Sequence, residues 1–392
     1  MLSLGRLILR YETKNNKLIF PHSKHITMNF SSLTIYYELN MHILLLQQGL
    51  WSCAFGDSYA SFLDFAIFCQ CFFSSIIYCG LLGDIFAALF PLIGFTINRP
   101  SVIAMFGSCL LLPLCLIRNL SSLGFTSILG FVAVLYTVIF ITLRSIDGTY
   151  SIESNGKFID DQILEMPSFI RSSLWNVDST SLVLCANLGL AFVAHYNAPV
   201  YWREFHNPTI KSFGEMVRLS YLILAALYAI TMCAGYATFG DNCRGNILLN
   251  YHPKDHLATF GRLATGFSVT FGFPLVFCGA RDGLKGVANS LGYSSLSNPR
   301  NNNYVILSLL TVVCFLAMCI TDIKFIAGFS GALMGSFLTY ICPTLVYIKI
   351  VHQVRGPISK QYKVSLLNLA FVPFGVLVAV IGMSVTIRDA MK

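Results

Sequence analysis

Charge is what this sequence has least of. Only 11% of its 392 residues are Asp, Glu, Lys or Arg, against about 25% in an ordinary soluble domain, while 55% are hydrophobic. Such a composition leaves too few polar side chains to coat a water-soluble globule, so a polytopic membrane protein is expected. The signatures of soluble chemistry are missing as well: there is no glycine loop to cradle phosphate, no zinc-spaced cysteine and histidine set, and no nucleophile elbow. No cofactor and no nucleic acid is called for, because a net charge of +8 in such a chain reflects lysine and arginine retained on the cytoplasmic side. The thirteen cysteines make no disulfide framework, since all but Cys53 and Cys243 lie in apolar runs, where a thiol acts as a small hydrophobe. Near Met1 nothing has the order of a cleavable signal peptide, and the first retained span is expected to direct insertion.

Apolar runs long enough to cross a bilayer begin at Phe62. Spans are expected at about 62–90, 101–117, 123–143, 181–202, 219–239, 257–280, 304–321, 325–348 and 364–387. Residues 1–61 are mixed and basic, with a partial or surface-lying helix expected at Ile43 to Phe55. Residues 144–180 are long and polar enough to lie in water. Lysine and arginine divide almost evenly between the two faces, and the five in the first sixty residues tip the N-terminal side toward the cytoplasm. Gly328, Gly331 and Gly335 strip side chains from one helical face and permit close helix contact.

The stretch SLVLCANLGLAFVAHYNAPVYW, residues 181 to 202, is the most informative. Pro199 has no N–H and clashes with the preceding turn, so the carbonyl of His195 loses its helical donor in mid-membrane. Irregular backbone at that depth belongs where it is buried in protein or lines a cavity, as in the broken helices of secondary transporters. His195 either faces that cavity, binding substrate or exchanging a proton, or is hydrogen-bonded to a neighbouring helix. Asn197 either offers its amide to a ligand or caps a second half-helix. Pro274 repeats the device by freeing the carbonyl of Thr270, with Ser268 two residues away; these oxygens suit a hard cation, or each hydroxyl bonds back into its own helix. Asp84 sits at an interface or takes a functional role, Asp64 suits a helix start, and Pro113 and Pro343 are expected as kinks without ligands.

Six segments in order carry a resemblance: FLDFAIFCQCFFSSIIYCGLLGD, LIRNLSSLGFTSILGFVAVLY, LAFVAHYNAPVYWREFHN, GYATFGDNCRGNILLNY, RLATGFSVTFGFPLVFCGARDG and FIAGFSGALMGSFLTYICPTLVYIKI. Together they resemble the amino acid/auxin permease family of eukaryotic transmembrane amino acid transporters, with its sodium-coupled neutral and proton-coupled branches. The resemblance implies an all-α multi-pass bundle similar to the bacterial leucine transporter, a 5+5 inverted repeat, here with about nine spans. It implies alternating-access transport of small or neutral amino acids, coupled to sodium or protons, in the plasma membrane or a vacuolar or lysosomal membrane. By segment order, Phe192, Ala194, His195 and Asn197 stand where the family binds substrate, and Ser268 and Thr270 stand on the span that helps hold sodium. The family's first span, with its glycine-rich break, has no counterpart here, which opens the alternative of a truncated or non-transporting paralogue that senses amino acids. A membrane-embedded acyltransferase using an intramembrane histidine as general base is the remaining rival. The amino acid, the lipid bilayer and the coupling ion are the expected partners.

Overall fold

A computed structural model describes residues 51, 54–56, 59–117, 124–152, 156–159, 166–169, 179–193, 201–202, 205, 209–355 and 360–391. Of the expected helix at Ile43 to Phe55 only Trp51, Ala54 and Phe55 are among them, helical and with Trp51 and Ala54 buried in the main core, while most of segment 1–61 lies outside. The described residues are all-α, with one isolated bridge between Ser168 and Gly240. At that bridge the chain passes so close that a Cβ on Gly240, whose φ is +59°, would collide with the Ser168 carbonyl. The helices are α1 (Ala60–Leu89), α2 (Arg99–Leu116), α3 (Gly124–Ile146), α4 (Ser179–Ala191), α5 (Ile210–Phe239), α6 (His256–Ser290), α7 (Asn302–Cys319), α8 (Ile323–Gln353) and α9 (Lys363–Arg388). All but α4 are long and apolar enough to cross a membrane, eight among the described residues.

Helix ends follow capping chemistry, and they outrun the apolar stretches. At the start of α5 the Thr209 hydroxyl accepts from Ser212 N–H and the Ser212 hydroxyl accepts from Thr209 N–H, a reciprocal box that begins the helix well before the apolar run at 219. Asn98 caps α2 by accepting from Ser101 N–H, and Asp322 caps α8 by accepting from Lys324 N–H. The helix α6 continues past residue 280 through Arg281, Asp282 and Lys285 to Ser290, because helical hydrogen bonding needs no apolar side chains.

Prolines are absorbed in two ways. Before Pro113 and Pro343 the helix widens by one residue: Leu112 N–H reaches the Gly107 carbonyl and Cys342 N–H reaches Phe337, π-type bonds that bypass the missing donor. In α6 the helix runs unbroken across Pro274. Helix α1 lies at the centre, packed along α6, with α2, α7 and α8 around it. The main core joins Leu63, Ile67 and Leu82 of α1 to Phe273, Phe277, Val313 and Leu338. A second core closes one end of the bundle around Phe140, Tyr150, Phe239 and Tyr251. Helices α4 and α9 meet on α8 through Ala186, Ala332 and Val378.

Candidate functional site

Helix α4 stops inside its apolar stretch. Its last turn closes through Phe192 N–H to the Leu188 carbonyl at 2.9 Å and Val193 N–H to Leu190 at 3.2 Å. The carbonyls at such an end have no helical donors. Two are met from α5: Tyr228 donates its hydroxyl to the Ala191 carbonyl at 3.2 Å, and Tyr221 donates to Phe192 at 3.1 Å. Seven residues apart on one helix, these tyrosines share a face. The Phe192 ring stacks on Tyr221 with centroids 5.9 Å apart and meets Tyr228 edge-on at 5.1 Å. The helix therefore ends ahead of His195. Ala194, His195, Asn197 and Pro199 lie outside the described residues, so of the four expected substrate residues the structure positions Phe192.

On its other side α4 presses backbone to backbone on α8. A Cβ on Gly331 would stand 2.8 Å from the Ala186 carbonyl oxygen and 3.1 Å from Asn187 Oδ1, and one on Gly335 would stand 3.1 Å from Leu190 N. Gly328 faces α9, where Thr386 Oγ1 would be 2.7 Å away. The glycine ladder thus serves two helices. Thr339 of α8 donates its hydroxyl to the Gly189 carbonyl at 3.2 Å. Between Gly331 and Gly335 the backbone takes a π-type turn, in which Ser336 N–H reaches Gly331, although no proline forces it.

Four oxygens in this region are buried and, among the described residues, unpartnered: Asn187 Oδ1 on α4, Ser330 Oγ and Ser336 Oγ on α8, and Gln70 Oε1 on α1. Gln70 spends its amide on the Ser74 hydroxyl, donating at 3.3 Å. The ring pairs Phe62–Phe337 and Phe73–Phe329 bracket Gln70 and set it at the height of the Ser330 to Ser336 stretch. Buried oxygens without donors are rare in native interiors and costly unless something supplies a proton or a positive charge. A set of this kind suits an ammonium group or a metal cation of the first group. The sequence reading assigned none of the four to a site, although each is a polar residue within an apolar run.

The two expected ion ligands part company. The Thr270 hydroxyl is buried and donates to the Gly266 carbonyl at 2.7 Å, while Ser268 faces α3, where a Cβ on Gly130 would lie 3.2 Å from its Oγ. Two residues apart on one helix, they point to different sides. Asp64 is buried on α1, where a Cβ on Gly286 would run into its carboxylate. Asp84 is structural: Arg99 donates from Nε to its carboxylate at 2.6 Å and from Nη1 to the Ala317 carbonyl at 2.8 Å, tying α1, α2 and the end of α7 together. Gly80 makes room for that guanidinium, and Gly83 for the Ile103 side chain.

Residues 48–388 match the family described as "Transmembrane amino acid transporter protein". The chain belongs to that family. Among relatives of this amino acid transporter are proteins named "Putative sodium-coupled neutral amino acid transporter 11". The one from Bos taurus is 23% identical over 341 residues, covering 86% of this chain and 68% of the relative. The one from Homo sapiens is 23% identical over 348 residues, covering 87% and 80%. "Vacuolar amino acid transporter 7" of Saccharomyces cerevisiae is 26% identical over 222 residues, covering 56% and 42%. Family and fold together make this a multi-pass membrane protein and a transporter rather than an enzyme, which sets the acyltransferase reading aside.

Proposed function

We propose that the chain moves small or neutral amino acids by secondary active transport, with alternating access around a site at the interruption of α4. The observation that carries this reading is that interruption itself, ending at Ala191 to Val193 inside an apolar stretch and flanked by the buried oxygens of Asn187, Ser330 and Ser336. The carbonyl end of a half-helix favours a positive group and the amide end of the next favours a carboxylate, so a break in mid-membrane matches an amino acid's two charges. In this reading Phe192 forms an aromatic wall, Ala194 leaves room for a small side chain, and His195 and Asn197 contact the polar atoms of the substrate. The leucine-transporter-like 5+5 arrangement would let one helix group rock about the site.

The names of the bovine and human relatives favour sodium as the ion to test first. We assign its ligands to Thr270, whose carbonyl lacks a helical donor because of Pro274, and to Ser268 two residues before it. Uptake of a labelled amino acid mixture into proteoliposomes, with sodium and proton gradients imposed separately, examines the proposal. Accumulation driven by one gradient supports it and identifies the ion. Folded, inserted protein that binds an amino acid without accumulating it would replace transport by sensing. His195→Ala should weaken substrate binding more than Asp64→Asn does, and Thr270→Ala should lower the apparent affinity for the driving cation.

A further inference from the structure

At the end of the bundle where α3 finishes and α6 begins, a cavity of about 450 Å³ is lined by Arg144, Lys157, Phe158, His252, Lys254 and His256. Its floor is rigid. His252 stacks on Phe158 with centroids 5.6 Å apart, and its Nδ1 accepts the Lys254 backbone N–H at 3.0 Å. Over the same Phe158 ring lie the Arg144 guanidinium carbon at 5.3 Å and Lys157 Nζ at 5.5 Å from the centroid. Arg144 is spent on Asp255 and Asp147, whose carboxylates it holds at 2.6 Å. The open charge of the cavity is therefore the two ammonium groups of Lys157 and Lys254, neither in an ion pair among the described residues, with His256 beside them.

His256 of the cavity lining also heads an exposed apolar stripe. His256, Phe260, Leu263 and Phe267 recur at helical spacing along α6, and the last three are 61%, 44% and 36% exposed. On α3 the exposed stripe is Ile139, Leu143 and Ile146. The two helices run antiparallel, with Gly130 against Ser268 at one end and Arg144 on Asp255 at the other, and meet between through Tyr136 and Leu257, Phe140 and Gly261, and Thr137 and Thr265. Measured from that seam at 100° per residue, both stripes turn to the same flank of the pair. A basic niche at the water-facing end of a lipid-facing flank matches the two ends of a single molecule.

We propose that this niche binds an anionic phospholipid, its phosphate between Lys157, Lys254 and His256 and an acyl chain along Phe260, Leu263 and Phe267. A soluble phosphate would share the head chemistry and ignore the stripe. The inference does not depend on the transport reading. The full chain in detergent is titrated with phosphatidylglycerol, phosphatidylcholine or inorganic phosphate, and bound lipid is counted by native mass spectrometry. Phosphatidylglycerol should be retained preferentially. Lys254→Gln, on an exposed turn, should weaken it about fivefold, and Lys157→Gln with Lys254→Gln about thirtyfold, equivalent to about 1 kcal/mol per lysine. Phe260→Ser with Leu263→Ser should also weaken it while sparing any binding of inorganic phosphate. Equal retention of the two lipids, unchanged binding in the monodisperse Lys254→Gln protein, or phosphate displacing the lipid at equal concentration would each overturn the proposal.

Discussion

Two regions bury polar groups to opposite ends. At the water-facing end, the fully buried Asp255 accepts from Arg144 Nε and Nη2 at 2.8 and 2.6 Å, from the Tyr150 hydroxyl at 3.0 Å, and from Leu257 N–H at 3.0 Å as the cap of α6. Tyr150 in turn accepts the His252 N–H at 3.0 Å and packs its ring on Phe158, Phe239 and Tyr251. Burial beside Asp255 pushes the Tyr150 phenol up, which keeps it a donor. At the α4–α8 contact the backbones touch through glycine, and Asn187, Ser330 and Ser336 keep open oxygens. The partners gathered on Asp255 fix a shape, although Tyr251 OH, Arg262 Nη1 and Asn246 Nδ2 at the same end make no hydrogen bond among the described residues, whereas open oxygens beside the end of α4 fit a visitor that brings its own positive charge.

The contrast predicts the largest loss at the closed end. Asp255→Ala would leave Arg144 with only Asp147, strip the α6 cap and free the Tyr150 hydroxyl. Losing one partner of a buried pair costs about 3–5 kcal/mol, so unfolding of the detergent-solubilised chain should move to a much lower denaturant concentration. An unchanged midpoint would mean that the network does not hold this end together. Gly331→Ala comes next. Its new methyl would stand 2.8 Å from the Ala186 carbonyl oxygen, which is backbone and cannot swing aside. Overpacking of this kind costs about 1–3 kcal/mol, and it should separate α4 from α8, so both stability and uptake fall.

Asn187→Ala should do the reverse of Asp255→Ala. Its Oδ1 makes no hydrogen bond among the described residues, so stability should shift by no more than about 0.5 kcal/mol. If that oxygen receives the substrate's ammonium group or the ion, uptake at low substrate should drop about tenfold, the equivalent of one hydrogen bond to a charged group. A variant that loses stability but keeps its uptake would make Asn187 part of the packing and remove it from the site.

How much of this was legible depends on range. Scarce charge and long apolar runs announce a membrane bundle because they act residue by residue. Pro113 and Pro343 are readable as kinks, since proline perturbs its own helix, and each is preceded by a widened turn. The end of α4 is not readable from its own residues: the helix stops at Ala191 inside the apolar stretch, where Tyr221 and Tyr228 from another helix satisfy carbonyls of its last turn, while Pro199 and His195 lie outside the described residues. Asp84 is the same kind of case, because its partner Arg99 also reaches Ala317, more than two hundred positions away in the chain. The glycines of α8 advertise close contact without saying that α4 and α9 share them. Side chains that settle a site from a distant helix leave no local period to read.

The smallest effect belongs to the rim of the closed network. Burial pushes the Asp147 carboxyl up, but the Thr149 hydroxyl at 2.6 Å, the Thr149 N–H at 3.0 Å and Arg144 at 2.6 Å outweigh it and hold the group below its ordinary value. A carboxylate depressed in the folded state adds stability above its unfolded pKa of about 3.9, and that contribution is lost as pH falls through the lower folded value. The side chain is 33% exposed, so solvent screening keeps the gain small. Thermal midpoints in detergent, followed downward from about pH 5, should fall more steeply for the wild type than for Asp147→Asn. Parallel curves would show that Arg144 serves Asp255 alone, and the network would then end at Tyr150 instead of reaching the loop that follows α3.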